Sequence, residues 1–125
     1  MKVYKFGGAS VKDAAGILNL VKIVNLEKEN LIIVVSAFGK TTNALEKVLK
    51  SWINGEEKYT TLLDDVYRQH ILVTDELYKK GSEIKDKINI SFEQLKYYLM
   101  TATKGAYDFE YDQIVSYGEI WSTII

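Results

Sequence analysis

The sequence predicts an α/β chain in which a parallel βαβ unit is followed by a mostly helical segment. Three observations carry that prediction. Residues 2 to 6 (KVYKF) alternate and contain β-formers, and Leu31-Ile32-Ile33-Val34-Val35 is an unbroken, largely β-branched run. Between them Ala14, Ile17, Leu18, Val21 and Val24 recur at helical spacing. From about residue 44 onward the apolar residues keep a helical period, and the chain contains no proline to interrupt it.

Taken in order, the first strand ends at Gly7-Gly8, and Ser10, with Asp13 three residues on, has the spacing of a capping box that opens a helix running to about Lys28. The 31–35 run reads as a strand buried on both faces. Strand, helix and strand within 35 residues make the two strands parallel. Leu45, Val48, Leu49, Trp52 and Ile53 form a helical stripe that stops at Asn54-Gly55. A second stripe, Tyr59, Leu62, Leu63, Val66, Tyr67 and Ile71, runs on towards Lys79-Lys80 and a C-capping Gly81. Ser91 with Gln94 has capping-box spacing ahead of Phe92, Leu95, Tyr98 and Leu99, which lead to Lys104-Gly105. A last stretch from Asp112 carries Ile114, Val115, Tyr117, Trp121 and Ile124. The pairs Glu46/Lys50, Asp64/Arg68, Glu76/Lys80 and Glu83/Lys87 set an acid four residues before a base, the pattern of solvated helix faces. No repeat, low-complexity tract or linker divides the chain.

Composition narrows the function classes. Sixteen basic against 17 acidic residues leave a net charge of −1, which supplies no electrostatic drive towards nucleic acid or an anionic membrane. No apolar run reaches the ~20 residues of a membrane span, and MKVYKFGG lacks the apolar region of a secretory signal. The absence of cysteine removes disulfides and thiolate metal sites and fits a cytoplasmic location. His70 is the sole histidine, so no transition-metal site is expected, and it reads as a surface or boundary residue. The nine tyrosines lie on helical stripes and read as core and interface. The last residues, Glu-Ile-Trp-Ser-Thr-Ile-Ile, are apolar and periodic, which fits either a docked helix or a packing face cut through.

Three segments carry candidate chemistry. In Lys5-Phe6-Gly7-Gly8-Ala9-Ser10, a glycine turn leaves a strand and enters a helix, where backbone N–H groups and the helix N-terminus can receive an anion. Lys5 stands at the same strand end, where ligands of open α/β sheets gather. On its own the pattern serves equally as a tight turn. The second segment, Ser36-Ala37-Phe38-Gly39-Lys40-Thr41-Thr42-Asn43, ends like a phosphate-binding P-loop, but position 34 is valine where that motif requires glycine, so the P-loop reading fails. It remains a polar loop at the same sheet edge, with Thr42 or Asn43 as helix N-cap. In the third, Ser116-Tyr117-Gly118-Glu119-Ile120-Trp121-Ser122, Gly118 interrupts a helical pattern at about 1 kcal/mol relative to alanine, which points to close approach by a neighbour. Ser116, Glu119 and Ser122 share one side, where a carboxylate between hydroxyls could hold an ammonium group.

Together and in this order the three segments resemble the aspartate kinases of the amino acid kinase family, which open with K-F-G-G-[ST]-S-V, continue with V-S-A-x-x-x-x-T-N and later carry S-x-G-E-x-x-S. The resemblance implies the N-terminal part of a three-layer α/β/α amino-acid-kinase fold, with a helical insert at about 44–111. It implies transfer of the γ-phosphoryl of ATP, with Mg²⁺, to the side-chain carboxylate of L-aspartate, giving 4-phospho-L-aspartate for lysine, threonine and methionine synthesis. By position, Lys5 would be the catalytic cation. Phe6, Gly7, Gly8 and Ser10 would belong with it to the nucleotide side. Ser36, Ala37, Thr42 and Asn43 would line the substrate side, and Glu119 would hold the α-ammonium of aspartate. Ala9 departs from the family, which carries a hydroxyl there.

The family holds the nucleotide base, ribose and metal mainly through later segments and adds regulatory ACT domains, so the chain is expected to be a fragment, inactive alone, that self-associates through exposed faces. The alternatives are a family member with a different acceptor, which Glu119 disfavours, and a non-catalytic helical interaction module, which leaves Lys5, Gly7, Gly8 and Gly118 without a purpose.

Overall fold

The computed structural model describes residues 1–78 and 82–125. Strand β1 (Lys2–Phe6) and strand β2 (Leu31–Val35) form a two-stranded parallel sheet, joined through helix α1 (Ala14–Asn25). Lys2 pairs with Leu31, Tyr4 with Ile33, Lys5 with Val34 and Phe6 with Val35, and the Ser36 N–H extends the ladder to the Phe6 carbonyl. Helices α2 (Thr41–Ile53), α3 (Tyr59–Leu77), α4 (Glu83–Thr101), α5 (Tyr107–Val115) and α6 (Tyr117–Ile124) follow. The predicted fold class, a parallel βαβ unit followed by helices, is the observed one.

The alternation of β1 decides which face is covered. Tyr4, Phe6 and Val35 turn towards α1 and pack with Val11, Ile17, Leu20, Val24 and Phe38. Val3, Lys5, Ile32 and Val34 occupy the opposite face at the same register, and all four are exposed. β2 is therefore not buried on both faces, as its apolar run predicts: Ile32 and Val34 keep 46% and 43% of their surface. A continuous apolar run signals two covered faces, and among the described residues no second layer lies over one of them.

The helices share a separate core. Leu45, Val48, Leu49 and Trp52 of α2 meet Leu63 and Val66 of α3, Ile88, Phe92, Leu95 and Leu99 of α4, and Ile114, Val115 and Trp121. Each full burial contributes roughly 1.5–3 kcal/mol relative to an exposed side chain. The indoles are held by polar partners as well: Trp52 Nε1 donates to the Leu99 carbonyl at 2.7 Å, and Trp121 Nε1 to Ser91 Oγ at 2.9 Å.

Several boundaries differ from expectation for identifiable reasons. Asp13, not Ser10, caps α1, its carboxylate accepting the Gly16 N–H at 2.8 Å. The N–H groups of Ser10 and Val11 turn back to the Gly7 carbonyl, so 7–13 is a loop and Ser10 lies outside the helix it was expected to open. α1 ends at Asn25, where the Leu26 and Glu27 N–H groups close a tight turn onto Ile23 and Val24. α2 begins at Thr41, whose N–H and hydroxyl both donate to the Phe38 carbonyl, so Thr42 and Asn43 lie in its first turn and do not cap it. Ser91 opens no helix. It is buried within α4, where the acceptor it offers Trp121 outweighs its capping spacing. α4 stops at Thr101, short of Lys104-Gly105, and the last amphipathic stretch breaks at Ser116 into α5 and α6. The extension of α3 to Lys79-Lys80, the Gly81 cap and the Glu76/Lys80 pair lie outside the described residues.

Side-chain pairing also follows tertiary neighbours more than helical spacing. Glu46 accepts from Tyr111 Oη at 3.0 Å, Asp64 faces Lys96 at 3.7 Å, and Arg68 faces Asp65 at 3.7 Å. Glu83 and Lys87 form no ion pair among the described residues. Such exposed pairs contribute little, so competing partners decide them.

Candidate functional site

The structure brings the three sequence segments together at the carboxyl ends of the two strands. The loop after β1 and the loop after β2 are joined by one hydrogen bond, from the Gly39 N–H to the Val11 carbonyl at 3.1 Å. Gly39 has φ +54°, a left-handed backbone that glycine adopts without strain, and this conformation turns the second loop onto the first. α6 then docks across the second loop at Gly118. A Cβ built there would lie 3.0 Å from Ala37 Cβ, 3.2 Å from Thr41 Cγ2 and 3.6 Å from Leu45 Cδ1. The glycine that breaks the helical pattern of the third segment thus permits its contact with the second.

The glycines of the first segment behave differently. A Cβ at Gly7 or Gly8 would meet nothing within 4 Å, and neither residue has a positive φ. Neither packing nor backbone conformation demands glycine at these positions; what their missing side chains create is open space before the backbone. An anion can approach backbone N–H groups most closely where no Cβ intervenes. The demanding glycine is Gly16 in α1, which sequence reading missed: a Cβ there would fall 2.4 Å from the Ser10 carbonyl oxygen. Gly16 lets the helix fold back against the loop, and its signal in the sequence is only a helix-interior glycine.

Lys5 projects from the uncovered sheet face beside Val34 and is exposed. Among the described residues no carboxylate lies within ion-pair range of it, whereas Lys2 on the same strand is bound to Glu27 at 3.0 Å. Phe6 is buried against α1, so of this residue only the backbone reaches the loop. Ser10 is exposed, and Ser36 is half-buried with its hydroxyl donating to the Ala37 carbonyl at 3.2 Å. Ala37 is buried beneath α6, Thr42 is half-buried and Asn43 is exposed. Glu119 is exposed in the first turn of α6. Its charge reaches Tyr111, whose phenol pKa is pushed up first by the hydrogen bond to Glu46, then by burial, and last by Glu119. Ser116 is exposed at the junction of α5 and α6, with helical backbone angles and its carbonyl accepting the Ile120 N–H at 3.2 Å, and Ser122 is half-buried.

Three clefts flank the site, one of them, of about 510 Å³, lined by Lys12, Asp13, Phe38, Gly39 and Lys40 among others. A second, of about 310 Å³, lies between α1, β2 and the end of α6, lined by Val11, Ile17, Leu20, Ile33, Val35 and Ser122 among others. Another of about 580 Å³ lies between α2 and α3 and meets the candidate residues only at Asn43. Among the described residues no three of His, Cys, Asp and Glu come together as a metal site, so none is assigned to Mg²⁺. No described helix is long and apolar enough to cross a membrane.

Two buried polar residues escaped the sequence. Glu110 accepts from Tyr98 Oη at 2.9 and 3.1 Å and from the Gly105 N–H at 3.3 Å, tying down the turn after α4. Burial first, and then this bond, push the Tyr98 phenol pKa up. His70 is fully buried, not a surface or boundary residue. Its signal was available: Val66, His70 and Thr74 follow one another at i, i+4 on the buried face of α3.

Parallel strands, paired loops at their carboxyl ends and a docked helix define the N-terminal part of an α/β amino-acid-kinase fold. The amino acid kinase family matches the chain over residues 1–125, and the chain belongs to that family. Among curated relatives it is similar to the chloroplastic bifunctional aspartokinase/homoserine dehydrogenase 1 of Zea mays, 27% identical over 130 residues, and to that of Arabidopsis thaliana, 29% identical over 129. Each alignment takes in 96% of this chain and 14% of the relative, so the chain spans about a seventh of their length. Among solved structures it is similar to E. coli aspartokinase III in complex with aspartate and ADP, with TM-score 0.83, 24% identity, and coverage of 99% of this chain and 27% of that one. It is similar also to the aspartate kinase of Clostridium acetobutylicum, with TM-score 0.80, 20% identity, and coverage of 99% and 28%. These likenesses establish the shared fold.

Proposed function

We propose that the chain is the amino-terminal part of an aspartate kinase catalytic domain, contributing to transfer of the ATP γ-phosphoryl to the side-chain carboxylate of L-aspartate. The observation that carries this reading is the convergence of the three segments, with the Gly39 N–H on the Val11 carbonyl and Gly118 against Ala37 and Thr41. A helical interaction module has no need to bring a glycine turn, a polar loop and the Gly118 helix together. The names of its relatives, and the aspartate and ADP bound by the E. coli protein, support the same acceptor and nucleotide.

In this reading the open backbone at Gly7 and Gly8, with Ser10, receives phosphate oxygens. Lys5, on the exposed sheet face with no ion-pair partner among the described residues, offsets their charge, and Phe6 anchors the loop from the core side. Ser36, Ala37, Thr42 and Asn43 border the amino acid, and Glu119 binds its ammonium group. Phosphoryl transfer asks the protein chiefly for positioning and electrostatic stabilisation, which these groups can supply. Mg²⁺, the nucleotide base and the ribose belong to segments outside this chain, residues about 44–111 are a helical insert, and the 125 residues alone do not turn over ATP. The product, 4-phospho-L-aspartate, would feed lysine, threonine and methionine synthesis.

The test is Lys5→Ala in a complete kinase domain bearing this segment, with the acyl phosphate trapped by hydroxylamine. Loss of product with an unchanged thermal transition supports the reading. Unchanged product formation would overturn it in favour of a structural module.

A further inference from the structure

Among the described residues one buried side-chain polar atom lacks any partner, Nε2 of His70. The other ring nitrogen, Nδ1, lies 2.8 Å from the Val66 carbonyl one turn back on α3. A carbonyl only accepts, so Nδ1 carries the hydrogen and Nε2 is a bare lone pair. Around the ring stand Trp121 of α6, Phe92 of α4 and Phe38 of the loop after β2, with ring centroids at 5.1, 5.7 and 5.9 Å. Phe92 and Trp121 are themselves stacked at 3.8 Å and 9°, which fixes two walls of the cage.

This placement joins two parts of the candidate site. Phe38 sits in the middle of the Ser36–Asn43 loop, its carbonyl holding the start of α2 through Thr41. Trp121 follows Glu119 by two residues in α6. We propose that His70, in its neutral form, is a positioning residue that spaces the Ser36–Asn43 loop from α6, and that a proton on Nε2 releases this spacing. The inference rests on reading those two segments as the amino acid side of the site.

The chemistry follows from the surroundings. A protonated Nε2 becomes a donor, and the three rings around the imidazole, Phe38, Phe92 and Trp121, carry no oxygen in their side chains. The Ser91 hydroxyl on α4 is already engaged by Trp121 Nε1, and the Thr74 hydroxyl on α3 donates to the His70 carbonyl. No titratable or charged group of α4, α6 or the loop faces the ring: burial lowers its pKa, and the Val66 carbonyl is the one opposing influence. The aromatic faces recover part of the lost solvation through cation–π attraction, but they provide no hydrogen-bond acceptor. The charged ring must therefore turn or admit water, and either movement displaces Phe38 and Trp121. The folded-state pKa lies below the unfolded value of about 6.5. The unfolded chain accordingly binds more protons in between, and stability falls as pH drops from 6.5 through the folded value.

Because His70 is the sole histidine, its Cε1–Hε1 signal is unambiguous in NMR of the labelled chain titrated from pH 8 to 4.5. The expected result is a ring in the Nδ1–H form, less than half protonated at pH 6.5, whose titration moves the backbone amides of residues 36–43 and 116–122 with one shared midpoint. Residues 48–53 at the far end of α2 should stay in place. His70→Phe should abolish the shared midpoint, and should that variant not fold, the wild-type titration decides alone. A ring titrating at or above 6.5, or a titration that leaves both segments unmoved, overturns the proposal. Addition of L-aspartate at pH 8 separates the two readings: failure to shift these amides counts against the kinase assignment and leaves the His70 coupling standing.

Discussion

Replacing Gly8 by alanine separates a phosphate cradle from a tight turn. The added Cβ would meet no atom within 4 Å, and the residue's φ lies outside the left-handed region, so no steric or backbone cost is incurred. A Gly→Ala change at such a position restricts the unfolded chain and stabilises by about 0.4–1 kcal/mol. For a domain of this size that raises Tm by roughly 2–4 °C. The same methyl fills the space through which a phosphate oxygen would reach the backbone. Losing one charge-assisted hydrogen bond of about 1.5–3 kcal/mol lowers affinity roughly 10- to 100-fold. Thermal unfolding by circular dichroism and titration with ATP and tripolyphosphate measure the two effects independently. Gly16→Ala is the internal contrast: its Cβ would lie 2.4 Å from the Ser10 carbonyl oxygen, a backbone atom that cannot swing away. Overpacking of about 3 kcal/mol there outweighs the helix-propensity gain of about 1 kcal/mol, leaving a net loss of about 2 kcal/mol. If Gly8→Ala lost stability as Gly16→Ala does, or kept full anion affinity, the cradle reading would be refuted.

The other predictions concern the third segment and the bare sheet face. Gly118→Ala should cost on the order of 1 kcal/mol, because crowding against Ala37 and Thr41 exceeds the helix-propensity gain; in a complete kinase domain it should raise the KM for the amino acid more than it lowers kcat. A rise in Tm from this substitution would show that α6 does not bear on the loop. The uncovered face carrying Val3, Ile32 and Val34 should drive self-association of the 125-residue chain, seen as a concentration-dependent sedimentation coefficient. Val3→Lys with Val34→Lys should abolish it; a wild-type monomer at all concentrations would argue against that role for the face.

Much of the architecture was legible because it rests on local rules. Alternation in KVYKF, the β-branched run at 31–35 and the helical stripe between them specify strands and helix through side-chain period alone, and the structure reproduces all three. Helix ends were less legible. Ser10, Asn43 and Ser91 all have capping chemistry at the right spacing, but a cap forms only where the N–H groups ahead of it are free. α1 starts only at Ala14 with Asp13 as its cap, α2 has already started at Thr41, and Ser91 lies inside α4 with its oxygen accepting from Trp121 Nε1. Glu110 was missed because polarity is a poor guide to depth when a partner from another element supplies the hydrogen bond, as Tyr98 does. His70 was misread because its one partner, the Val66 carbonyl, lies within its own helix while aromatic rings from other elements bury it.

The sequence by itself determined the βαβ unit, the helical remainder and the three chemically suggestive segments, since each depends on residues within a few positions of one another. Only the tertiary structure decided that these segments meet, through Gly39 on Val11 and Gly118 on Ala37. It also decided that Gly7 and Gly8 border open space while Gly16 and Gly118 border atoms. The physical reason is that a missing side chain has no local signature: whether it relieves a clash or leaves room for a ligand depends on what the rest of the chain brings to within 4 Å.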